Sequence, residues 1–118
     1  MTVAMNTHRR QAMLWLAQRA SAAVLGVCVV VHLVTMIVAV RGGLTAAEIL
    51  ERTRGSVAWA LFYAVFVVAA AIHAPIGVRT VLAEASGGHR RGVDVAAAAF
   101  AVLLLTTGLR GVYAVTIG

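Results

Sequence analysis

The sequence predicts an all-α integral membrane protein with three transmembrane helices, and three observations carry that prediction. Apolar runs of membrane-spanning length recur, arginines mark their ends, and charge is nearly absent between. The 118-residue chain is 62% hydrophobic and only 12% charged, with a mean hydropathy of +0.95, whereas a soluble domain carries about 25% charged residues. Length allows one domain, residues 1–118. The basic residues are all arginine and the formal net charge is +6. They cluster at the ends of apolar runs rather than on a polar face, a pattern of membrane topology and not of nucleic-acid binding.

The first span is Ala20 to Val40, between Arg19 and Arg41. His8, Arg9 and Arg10 precede it as they would in a signal peptide, yet the run is 21 residues long and lacks a convincing cleavage site before Arg41, so it reads as a span that stays. The second is Gly55 to Val78, between Arg54 and Arg79. Both match the roughly 20 residues that cross about 30 Å of hydrocarbon. The third, about residues 95–116, is uncharged from Val95 to Leu109 and resumes at Gly111; Arg110 is expected to snorkel.

The connections differ in character. Gly42 to Thr53 opens with a Gly-Gly break and then spaces Thr45 and Glu48 as a capping box, with Leu44, Ile49 and Leu50 as the apolar side of a short interfacial helix. Ala85 to Asp94, containing Ser86, Gly87, Gly88, His89, Arg90 and Arg91, reads as a polar turn. Arg9, Arg10, Arg19, Arg79, Arg90 and Arg91 fall on one side, against Arg41, Arg52, Arg54 and Arg110 on the other. The bias places the N-terminus in the cytoplasm of a bacterial-type membrane. Small residues on helix one (Ala20, Ser21, Ala22, Ala23, Gly26) and the run Ala96 to Ala99 suit helix association in lipid and predict another membrane subunit.

His73 is the residue that most demands explanation. An ionisable group at membrane depth is costly and marks a functional site by default; for imidazole the leading roles are metal or haem ligand and proton relay. The bland alternative is a structural imidazole bonded to a helix carbonyl. His73 lies six residues from Arg79, about 9 Å along a helix, and His32 lies thirteen from Arg19, about 20 Å. Different depths argue against one haem shared between them. If both are ligands, two stacked haems would each take a second histidine from a partner chain. His8 and His89, outside the spans, are expected to be solvated, and the single Cys28 to be a packing residue.

Around His73, Pro75 removes a helix hydrogen bond and Gly77, one turn on, offers the close approach a flat macrocycle needs. Arg19 and Arg79 can snorkel to lipid phosphate, pair with a haem propionate or hydrogen-bond a quinone carbonyl. Gln18 and Ser21 add neutral hydrogen-bonding groups near Arg19, and Ser21 is a candidate contact for both haem and quinone. Trp15 and Trp59 fit an aromatic belt, and Trp15 could also wall a quinone pocket.

Two motifs resemble a known family, the C-type cytochrome b membrane anchor of succinate dehydrogenase and fumarate reductase. Gln18-Arg19-Ala20-Ser21-Ala22 is similar to that family's His-Arg-x-Ser-Gly. His73-Ala74-Pro75-Ile76-Gly77-Val78-Arg79, followed by Glu84, is similar to its His-x-x-x-Gly-x-Arg with an acidic residue five further on. The resemblance implies three spans and haem b, one or two per complex, with His73 as an axial ligand. By the same resemblance Arg19 lies near quinone and propionates, Arg79 at the haem edge, and His32 matches the helix-one histidine of the two-haem branch. The implied partners are a second membrane anchor, an iron-sulfur subunit, a flavoprotein and quinone within the bilayer. Gln18 replaces the family's histidine, Ala22 its glycine and Trp15 a common serine, departures that fall on the quinone contacts.

No P-loop, dinucleotide fingerprint, HExxH or nucleophile elbow is present. All four acidic residues (Glu48, Glu51, Glu84, Asp94) lie outside the apolar runs, unlike the buried carboxylates of ion-coupled transport. The expected activity is therefore that of a non-catalytic membrane subunit, with a haem-free anchor and a small membrane transporter or assembly protein as the alternatives.

Overall fold

The computed structural model describes residues 1–88 and 90–118, so the expectation for His89 lies outside the described residues. Four helices follow one another: α1 (Thr2–Arg41), α2 (Ala46–Thr53), α3 (Val57–Ala85) and α4 (Arg91–Thr116). Of these, α1, α3 and α4 are long and apolar enough to cross a membrane. α3 is central, packed against both α1 and α4, while α2 leans on α4. The bundle is 59 Å long and 25 by 23 Å across.

α1 begins at Thr2, well before the apolar run. Nothing in residues 2–19 breaks a helix, because neither Gly nor Pro occurs there and Ala, Met, Leu, Gln and Arg are good helix formers. Its buried residues are Ser21, Cys28 and Ala39, spaced to share one face, so small side chains form the seam against α3. Large residues such as Val27, Val30 and Leu33 point away from it. α3 remains helical through the buried Pro75, whose missing N–H leaves the Ala71 carbonyl without its helical donor. α3 and α4 pack tightly at Gly108, where an added Cβ would stand 2.5 Å from Val67 Cγ1.

The turns obey local chemistry. Gly43 (φ 68°) leaves α1, and Gly55 (φ 76°) separates α2 from α3, both in the left-handed region that only glycine enters freely. Ser56 Oγ caps α3 by accepting from Trp59 N–H at 3.2 Å. The far end of the bundle is tied by Thr53 Oγ1 donating to the Val115 carbonyl at 2.7 Å and Gly55 N–H donating to the Thr116 carbonyl at 2.6 Å.

The α2 capping box forms: Glu48 N–H donates to Thr45 Oγ1 at 3.3 Å and Thr45 N–H to Glu48 Oε2 at 2.6 Å. The Thr45 backbone N–H, then the Thr45 side chain, hold the Glu48 carboxyl below its usual value of 4.5. A depressed carboxylate stabilises the fold above that value, and the contribution is lost as pH falls through the lowered one. The hydrogen-exchange protection factor of the Thr45 amide is therefore expected to fall at strongly acidic pH. Protection that ignores pH would contradict the carboxylate's role.

Candidate haem and quinone region

Antiparallel α1 and α3 bring two sets of side chains together across their seam. Ser21 Oγ stands 3.4 Å from His73 Nδ1, and the Tyr63 hydroxyl stands 3.4 Å from His32 Nδ1. Ser21 and His32 are eleven residues apart on α1, and Tyr63 and His73 ten apart on α3. Both spacings correspond to about 15 Å of helix, so the two histidines occupy separate levels.

The His73 level is built from small and polar residues. Ser21, 6% exposed, donates its hydroxyl proton to the Gln18 carbonyl at 3.1 Å, the usual recourse of serine inside an apolar helix. Gly77, one turn beyond His73, faces the Gln18 side chain, since a Cβ there would meet Gln18 Nε2 at 3.5 Å. The room left by this glycine is thus bordered by a carboxamide. Gln18 Oε1 is itself buried with no hydrogen-bond partner. Above Ser21 an apolar groove of about 470 Å³ opens along the seam, lined by Ala17, Ala20, Val24, Val65, Ala69 and Ile72 among others.

The His32 level is aromatic. Tyr63 and Phe66 meet the imidazole edge-on, with ring centroids 5.8 and 6.0 Å away. His32, Tyr63, Phe66, Val67, Gly108 and Gly111 contribute to a second cavity of about 370 Å³, which all four helices line.

The arginines lie elsewhere. Arg19 is two residues from Ser21, about 200° around the helix, so the motif that looks contiguous in sequence is divided between two faces. On the outer face the Arg19 guanidinium lies over the Trp15 ring, 5.1 Å from its centroid, with Trp15 61% exposed. Arg79 turns to α4, where its Nε donates to Asp94 Oδ1 at 2.6 Å. The acid that pairs with Arg79 is thus Asp94 of α4, outside the motif. Only antiparallel packing of α3 and α4 puts Asp94 beside Arg79; the Ser21–His73 and Tyr63–His32 pairs likewise required the register of α1 on α3.

Among the described residues no three His, Cys, Asp or Glu side chains come together as a metal site. What this chain offers is one imidazole at each of two levels. Neither the curated proteins nor the solved structures yielded a match. A model of the succinate dehydrogenase/fumarate reductase transmembrane-subunit family matches residues 4–109. With that match spanning most of a chain of three membrane-length helices, the protein belongs to the succinate dehydrogenase/fumarate reductase transmembrane-subunit family.

Proposed function

We propose that the chain is a cytochrome b membrane anchor of succinate:quinone oxidoreductase, holding a flavoprotein and an iron-sulfur subunit to the membrane together with a second anchor. The observation that carries the haem assignment is His73, a histidine inside a membrane helix with one ring nitrogen engaged by Ser21 and an apolar groove opening beside that serine. The donor set is compatible with a porphyrin: His73, or His32 at the other level, would supply one imidazole from this chain, and a partner chain would supply any second ligand. The buried, unpartnered Gln18 Oε1 adds an acceptor that a bound donor or ordered water would satisfy.

In this reading His73 would hold a haem in the cytoplasmic half of the membrane, and His32 would hold a second. When bound, such groups supply one-electron storage between the iron-sulfur clusters and quinone. Arg19 presents its guanidinium on the outer face of α1, where it can hydrogen-bond a quinone carbonyl or a propionate, and Trp15 forms an apolar wall for it. Ser21, turned inward, serves His73. Arg79 borders the site from α3, held in place by Asp94. The N-terminus faces the cytoplasm, and succinate chemistry resides on the flavoprotein.

Affinity purification of the tagged chain is expected to bring down a flavoprotein and an iron-sulfur protein, with succinate-driven quinone reduction. Isolation without either would contradict the assignment. His32→Ala is expected to lower haem from two to one per complex, read by haem and protein quantitation; unchanged stoichiometry would remove His32 from the ligand set.

A further inference from the structure

The hydroxyl of Ser21 has one proton, and the nearer of its two possible acceptors is a carbonyl of its own helix. It points to the Gln18 carbonyl at 3.1 Å, so toward His73 Nδ1, 3.4 Å away, Oγ turns only lone pairs. An unprotonated Nδ1 would set lone pair against lone pair at a site where Ser21 is 6% exposed and desolvation makes a missing hydrogen bond costly. A neutral imidazole carries one N–H. We infer that Ser21 is a positioning residue that holds His73 in the Nδ1-protonated tautomer and so leaves Nε2 as the coordinating nitrogen.

The other histidine supplies an internal contrast. Tyr63 faces His32 Nδ1 at the same 3.4 Å, but no hydrogen bond occupies the Tyr63 hydroxyl proton elsewhere among the described residues. The phenol can therefore donate to Nδ1 or accept from it, and this contact does not select a tautomer. Two similar pairs differ because the Ser21 hydroxyl has a nearer acceptor in its own helix and, among the described residues, the Tyr63 hydroxyl has none. The inward turn of Ser21 thus acquires a purpose separate from quinone binding. A ligand imidazole that donates its second N–H to an oxygen is oriented and made more basic, which favours the oxidised metal.

The inference rests on the haem reading of His73, and two measurements keep their failures apart. Ser21→Ala in the intact complex is expected to retain haem and to raise the midpoint potential of the haem that His73 serves, because the oxygen that accepts the Nδ1 proton is gone. Ser21→Thr, whose hydroxyl can make the same backbone bond, is expected to restore the wild-type value. Loss of haem from Ser21→Ala but not Ser21→Thr supports the same conclusion. An unchanged midpoint in Ser21→Ala, or haem loss from both variants, would overturn it. If the wild-type complex holds no haem, the haem assignment fails instead. The tautomer is then decided by ¹⁵N solid-state NMR of the histidine-labelled complex in lipid, where Nδ1-protonated His73 that changes in Ser21→Ala supports the lock and Nε2-protonated His73 refutes it.

Discussion

His73→Ala is expected to leave an assembled complex that lacks the haem of the cytoplasmic half of the membrane. Its occupancy should fall by more than about 10-fold, since even the loss of a supporting hydrogen bond costs about 10- to 100-fold in metal affinity. Its polar neighbours on α1, Ser21 and Gln18, are not effective iron ligands. The fold should survive, because the α1–α3 seam is formed by buried small residues such as Cys28, Ala39 and Ala69. Haem quantitation of the purified variant checks this, and wild-type occupancy would make His73 a structural imidazole.

Gly108→Ala is expected to loosen the α3–α4 packing by about 1–3 kcal/mol, the usual cost of forcing extra atoms into a filled contact. The new methyl would overlap Val67 Cγ1, at 2.5 Å, and Cγ2, at 3.0 Å, and a β-branched side chain in a helix has little rotamer freedom with which to withdraw. Alanine's better helix propensity returns about 1 kcal/mol at most. Val67→Ala in the same chain removes both colliding methyls, so the double variant should recover part of the loss. A thermal-stability double-mutant cycle in detergent reads the coupling, and strict additivity would show that the two residues do not clash.

Helix class and number were legible because bilayer thickness imposes a run length that arginines then punctuate, as at Arg19, Arg41, Arg54 and Arg79. The capping box at Thr45 and Glu48 was legible for a similar reason, since its geometry is local. The N-terminal extent of α1 was not. Apolar-run boundaries report where lipid ends, whereas residues 2–19 are helical through backbone preference and the absence of breakers. Separation of the histidine levels follows from counting along helices, although the contact register places them about 15 Å apart where charge boundaries suggested about 11 Å.

The internal arrangement of the site required packing. Arg19 and Ser21 stand in one short motif, yet the helical turn sends one outward to Trp15 and the other inward to His73. Gly77 could be identified as open space, but only the approach of α1 reveals that Gln18 borders it. Likewise Asp94, distant in sequence from the second motif, takes Arg79, and the tie from Thr53 to Val115 joins segments with no sequence signal in common.

Whether this membrane anchor carries haem b through His73 is decided by a reduced-minus-oxidised visible spectrum of the purified complex. A b-type haem band is expected in the wild-type complex, diminished in His73→Ala. A wild-type complex that reduces quinone with succinate yet shows no such band would contradict the haem assignment.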